Sequence, residues 1–203
     1  VATGKTTLLR AISTAIPDEQ SVLVIEDTPE IKLEHPHVRY ISTREENIEK
    51  EGRVSPSSLI RAGMRMAMNR IIFGEIRDSE AAEAFIDVCI SGHPGCSTIH
   101  ARSASEAIAR LELLLSRAQP GVEHNVLIEQ IARAVNVIIH VDLCTKTGKR
   151  RIFEVRELNV PSDGSIRQKI IFQYQPEEEI PYWKVVTKLS NNKDKIDSLF
   201  SLY

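Results

Sequence analysis

Residues 1–16 read VATGKTTLLRAISTAI. Gly4-Lys5-Thr6 is the right half of the phosphate-loop pattern G-x-x-x-x-G-K-[ST]. Behind it, Leu8, Leu9, Ile12 and Ile16 keep a helical spacing that suits packing on a sheet. The first glycine of the pattern would fall before residue 1, so the strand that feeds such a loop is expected to be missing from the chain. In a loop of this kind, backbone N–H groups at a helix N-terminus point at phosphate oxygens. Lys5 would reach the β- and γ-phosphates, and the Thr6 hydroxyl would bind magnesium. The expected ligand is a nucleoside triphosphate with Mg2+, held by the loop residues Ala2, Thr3, Gly4, Lys5, Thr6 and Thr7.

Downstream, strand and helix signals alternate. SVLVIED (21–27) is a short β-branched run that reads as a buried parallel strand. HVRYIS (37–42), RIIFGE (70–75) and CSTIHA (96–101) read as further strands. Between them, Ser55-Pro56 opens one helix with a cap and an N1 proline, and Ser79 is expected to cap another that Gly92 closes. Ser103 and Glu106 have capping-box spacing. A helix near 123–134 and a long apolar strand over 134–144 follow. Then the texture changes. RIFEVRELNV and IRQKIIFQYQP predict a β-hairpin around Pro161–Gly164, and NNKDKIDSLFSLY predicts a short terminal helix. The order implies an α/β fold: a mostly parallel sheet with helices on both faces. Residues 1–145 would form the main domain and 146–203 an appendage.

Composition narrows the function classes. A formal net charge of −2 over 203 residues supplies no basic field to attract nucleic acid. The basic run Lys149-Arg150-Arg151 reads as a strand edge guarded by charge. No apolar run approaches the roughly 18 to 20 residues that a spanning helix needs. Cys89, Cys96 and Cys144 form no C-x-x-C pair, so no zinc is expected.

Four motifs fall at strand ends, where ligands sit in parallel sheets. They are the phosphate loop, Glu26-Asp27-Thr28, Gly74-Glu75-Ile76-Arg77, and Gly92-His93-Pro94-Gly95 running on to Thr98-Ile99-His100. In this order they resemble the secretion ATPases of type II and type IV systems, over roughly residues 1–145. Lacking the four-cysteine zinc insertion of the type II branch, the chain resembles the conjugation or tight-adherence pilus branch, or the archetypal type IV secretion branch. The resemblance implies a RecA-like P-loop NTPase. GKTT would be the end of Walker A, IEDTPE the Asp box, IIFGE an unusual Walker B, and the TIHA segment the His box.

The resemblance also implies roles. Glu75 would orient or deprotonate the attacking water, and Glu26 and Asp27 would hold magnesium or its water shell. His100 would contact the γ-phosphate region. Arg44, Arg53 and Arg65 would reach nucleotide within or across subunits. The family implies ATP and Mg2+ as ligands, a homohexamer, an inner-membrane platform protein as partner, and a place at the cytoplasmic face of that membrane.

The chain departs from the family at three points. Ala2 stands where a loop glycine is usual. Ala67-Met68-Asn69 replaces an arginine, proline and aspartate. The segment from Gly95 to His100 is one residue short. Two alternatives therefore stay open: a non-hydrolysing nucleotide-binding scaffold, and another P-loop motor such as a DNA translocase. From the charge pattern, Glu75 with Arg77 reads equally as a surface ion pair, and His93 as a turn residue beside Pro94.

Overall fold

Strand β1 (Val22–Glu26) is buried at all five positions. A run such as VLVIE is stable as a strand only where apolar groups cover both of its faces. The computed structural model, which describes residues 3–159, 166–177 and 182–187, supplies them. Helix α1 (Lys5–Ser13) precedes β1 in the chain. After β1 come β2 (Val38–Ser42), α2 (Pro56–Met64), β3 (Arg70–Ile76), α3 (Ser79–Ile90) and β4 (Gly95–Ile99). The four strands make one parallel sheet in the order β2-β1-β3-β4.

Alternation along the strands sorts the core into two layers. Leu23, Ile25, Ile71 and Phe73 face one side and pack with Ile60 of α2 and with Ala82, Phe85 and Ile86 of α3. On that side α4 (Ala104–Ala118) and α5 (His124–Ala134) add Leu111, Leu115, Leu127 and Ile131. Val22, Val24 and Ile72 face the other side, against Leu9 of α1, Ile16 and Ile31. Helices thus cover both faces, as the alternating pattern implies.

The caps follow local chemistry, with one correction. Ser55 Oγ accepts the Ser58 N–H, and Pro56 occupies the first turn of α2. Helix α3 is capped by Asp78, not by Ser79 as expected. Asp78 is extended at φ −133°, ψ 177°, and its Oδ1 accepts the Ala81 N–H at 2.9 Å, while Ser79 is already helical. Gly92, at φ 92°, turns the chain out of α3 in the left-handed region that glycine adopts most easily. At α4, Ser103 Oγ accepts the Glu106 N–H, while the Glu106 carboxylate accepts the Arg102 N–H rather than closing the box on Ser103.

A second, antiparallel sheet follows: β5 (Val137–Cys144), β6 (Lys149–Asn159), β7 (Arg167–Gln175) and β8 (Tyr182–Val185), in that order. The predicted hairpin is β6 with β7. The 134–144 strand is β5 and pairs with β6, so the expected division after residue 145 falls in the turn between two strands of one sheet. β8 carried no clear sequence signal. The expected terminal helix lies outside the described residues. Among those residues, no helix is long and apolar enough to cross a membrane.

Candidate functional site

The loop before α1 is shaped by Gly4. It N-caps the helix at φ 98°, ψ 17°, a conformation that L side chains adopt at a cost. Its carbonyl accepts the Leu8 N–H at 2.9 Å, so the first turn is set immediately, and the first N–H groups of a helix have no intrahelical partner. Thr3, Gly4, Lys5, Thr6 and Thr7 line a cavity of about 440 Å3 at the carboxyl ends of the parallel strands. Ala2 lies outside the described residues. The other walls include Glu26, Asp27, Thr28, Gly74, Glu75, Arg77, Thr98 and His100. The sheet therefore brings the four motifs to one place.

A register shift in the β3–β4 ladder aims Glu75. Phe73 pairs with Ser97 and Ile76 with Ile99, so β3 spends one more residue than β4 over this stretch. Such a bulge bends a strand and redirects a side chain. The Thr98 hydroxyl donates to the Gly74 carbonyl at 2.8 Å and pins the bulge. A Cβ on Gly74 would come within 3.0 Å of Glu26 Cγ, which explains why glycine precedes the glutamate.

A line of polar contacts crosses the cavity. Lys5 Nζ stands 3.2 Å from His100 Nδ1, and His100 Nε2 stands 2.9 Å from Glu75 Oε1. An ammonium has only donors, so His100 Nδ1 accepts and its proton sits on Nε2, directed at Glu75. The second Glu75 oxygen accepts from Arg77 Nε. Arg77 Nη1 lies 3.5 Å from Asp27 Oδ2, and the Thr43 hydroxyl donates to Asp27 Oδ1 at 2.8 Å. The hydrogen bond to Glu75 pushes the Arg77 guanidinium further up from its ordinary value, so it stays charged. Glu75 and Arg77 do form an ion pair, but inside the cavity wall and shared with His100.

Glu26 has a different environment from Asp27. Its side chain is buried and accepts the Glu30 N–H at 3.1 Å and the Ile31 N–H at 2.9 Å, which ties down the loop after β1. Burial raises its carboxyl above the usual range, and those two N–H groups oppose the shift. Its other oxygen lies 3.2 Å from the Ile31 nitrogen.

The arginines divide in a way that the sequence pattern did not show. Arg44 is exposed and donates from Nε to the Gly52 carbonyl at 2.6 Å. Arg65 ends α2 and is exposed. Neither lines the cavity, nor does Arg53. Arg77 and Arg150 do. Arg77 was visible in the sequence only as a neighbour of Glu75. Arg150 stood in a basic run far along the chain, with no motif to flag it.

Arg53 does structural work instead. Its Nη2 lies 2.6 Å from Glu80 Oε2, and the Ser57 hydroxyl donates to Glu80 Oε1 at 2.8 Å. The Arg53 hydrogen bond, with help from Ser55 and Ser57, holds the Glu80 carboxyl down to about 2. Its folded value is thus depressed below the ordinary 4.5. The associated stability is complete above the ordinary value and is lost as pH falls toward about 2. Because the pair is open to solvent, its contribution is small. Urea unfolding of wild type and Glu80→Gln at neutral pH and again near pH 3 should show the gap between them narrowing in acid. An equal gap at both would remove the assignment.

The site suits a magnesium–polyphosphate ligand. It has a left-handed glycine at a helix N-terminus, a lysine, a hydroxyl at Thr6 and carboxylate oxygens, which are the hard donors magnesium prefers. The family model for type II/IV secretion system proteins matches residues 2–177. VirB11 of Agrobacterium fabrum is 35% identical over 176 residues, covering 83% of this chain and 48% of its own length. The type IV secretion system protein PtlH of Bordetella pertussis is 35% identical over 156 residues, covering 73% and 44%. Among solved structures, the VirB11 ATPase of the Brucella suis type IV secretion system, in complex with sulphate, aligns with a TM-score of 0.68 at 31% identity, covering 77% of this chain and 46% of that one. The pilus retraction motor PilT with bound ADP shares the fold at a TM-score of 0.58 and 17% identity, over 98% and 49%. The chain spans about half the length of the curated relatives it matches. The chain therefore belongs to the type II/IV secretion system proteins and has their RecA-like α/β fold.

Proposed function

We propose that this chain is the nucleotide-hydrolysing part of a magnesium-dependent ATPase motor of a secretion, pilus-assembly or conjugation system. The observation that carries the reading is the Lys5–His100–Glu75 line inside the phosphate-loop cavity. The loop N–H groups and Lys5 hold the polyphosphate, and Thr6 with Asp27 holds magnesium or its water shell. Magnesium, when bound, supplies positive charge to the β- and γ-phosphate oxygens. Glu75 accepts a hydrogen bond from the attacking water and then its proton. The water oxygen bonds to the γ-phosphorus as the bond from phosphorus to the bridging oxygen breaks, and ADP leaves with that electron pair. Lys5 stabilises the charge that develops there. His100 touches Lys5 at one nitrogen and Glu75 at the other. It is placed to exchange its Lys5 contact for a γ-phosphate oxygen and so to register phosphate loss.

Glu26 supports this chemistry by fixing the loop that carries Asp27 to Ile31, besides any share in magnesium binding. The complete protein would act as a homohexamer on an inner-membrane platform at the cytoplasmic face. Arg44 and Arg65 lie outside this chain's own cavity and would then serve a neighbouring subunit. The reading is tested by binding. Lys5→Ala should weaken the affinity of the complete protein for MgATP by about a hundredfold, since it removes a charge-assisted contact and leaves phosphate charge uncompensated. Titration with a fluorescent ATP analogue measures this. An unchanged dissociation constant would end the assignment of the loop.

A further inference from the structure

Arg150 sits at the phosphate loop, although its strand belongs to the second sheet. It lies in β6 opposite Leu143 of β5. The basic run around it is divided by strand alternation, which sends neighbouring side chains to opposite faces. Arg151 goes to the face of Trp183, with its guanidinium carbon 5.7 Å from the ring centroid. Arg150 goes to the other face and lines the cavity with Thr3 to Thr7. Its Cδ lies 3.2 Å from the point a Cβ on Gly4 would occupy. The arginine stem therefore lies against the left-handed turn that opens α1. The φ of 98° at Gly4 favours glycine, and a Cβ there would press on this stem.

In the same cavity Lys5 meets His100, and Arg77 meets Glu75 and Asp27. Arg150 enters from the Gly4 side of the loop, on the strand sheet that no motif of the site belongs to. A guanidinium presents a planar fork of N–H donors that matches two phosphate oxygens, and a lysine lacks this geometry. We propose that Arg150 is a phosphate-binding residue of the nucleotide site, contributed by the antiparallel sheet. The proposal rests on the nucleotide reading above and adds to it a contact from outside the parallel sheet. It also gives β6 a direct mechanical link to the loop, because the same residue holds strand register with Leu143 and touches the phosphate.

The test is equilibrium binding by the complete protein, by titration calorimetry, with MgADP and with magnesium pyrophosphate as probes. Arg150→Gln keeps the carbons that pack on Gly4 and removes the charge. Arg150→Lys keeps the charge and removes the fork. Lys5→Ala is the reference for the loop itself. Arg150→Gln should raise both dissociation constants about tenfold, as expected for loss of a charge-assisted hydrogen bond. Arg150→Lys should fall between Arg150→Gln and wild type, and thermal midpoints should stay near wild type. Equal losses for the two probes locate the contact at phosphate rather than at the base. If Lys5→Ala loses binding while Arg150→Gln keeps wild-type constants, Arg150 is not a phosphate ligand and the nucleotide reading stands. Should Arg150→Gln weaken MgADP but leave pyrophosphate unchanged, the phosphate assignment is overturned. Wild-type protein that binds neither probe overturns both readings together.

Discussion

Glu75→Gln is expected to lower ATP turnover by the complete protein by a factor of about 10^2 to 10^4, the usual contribution of a positioned proton acceptor. Glutamine keeps the shape of the side chain and an oxygen for the His100 Nε2 proton, which now lies 2.9 Å from Glu75 Oε1. It removes the negative charge that Arg77 and an attacking water both use. The β3 bulge, pinned by Thr98 and kept open by Gly74, does not depend on that charge. The substitution should therefore leave the fold and MgATP binding intact. The proper measurement is steady-state turnover with the dissociation constant determined alongside. Loss of kcat at preserved affinity assigns Glu75 to the chemical step. Wild-type turnover in the variant would remove Glu75 from the chemical step, whereas nucleotide binding without turnover in the wild type would favour a non-hydrolysing scaffold.

The second large effect concerns stability. Phe73 is 2% exposed and sits in the middle of β3, between β1 and β4, facing α3. Its ring is held on the sheet face that also carries Ile25 and Ile71, in the same core cluster as Phe85 of α3. Phe73→Ala should cost about 3–5 kcal/mol, from lost transfer energy and a cavity that rigid neighbouring strands cannot close. For a domain of this size that corresponds to a fall in the thermal midpoint of roughly 10 °C. Urea denaturation at neutral pH, with the slope m checked for constancy, gives the number. A loss under about 1 kcal/mol would mean that the face is not packed as described. The effect should also reach the site, because Gly74 and Glu75 follow Phe73 directly in the strand.

Much of this molecule is legible residue by residue, and the reason is local. Gly4-Lys5 starts a helix because a left-handed glycine and a run of apolar residues at helical spacing are near neighbours in the chain. VLVIE reads as a central strand because only a doubly covered strand tolerates five apolar or buried positions in succession. Ser55-Pro56 and Ser103 cap helices by reaching three residues ahead. Where two local solutions compete, local reading fails by one residue. Asp78 and Ser79 can both cap α3, and the extended backbone at Asp78 decides between them.

The sequence by itself thus determined the alternating α/β order, the phosphate loop, the position of Glu75 at a strand end and the presence of a later hairpin. Only the tertiary structure decided what these parts meet. Lys5 and His100 are 95 residues apart, and they touch because β4 lies beside β3 and the ladder slips between Phe73 and Ile76. Glu26 and Asp27 look alike in the chain, yet the loop fold turns one carboxylate to backbone N–H groups and the other toward Thr43 and Arg77. Arg44 and Arg65 fall outside the cavity while Arg77 and Arg150 line it. β5 joins the antiparallel sheet because its pairing partner, β6, is the strand that follows it. Periodicity and caps are written into a few consecutive residues. Sheet order, register and the neighbours of a charge are set by the packing of the whole chain, and no short window of sequence contains them.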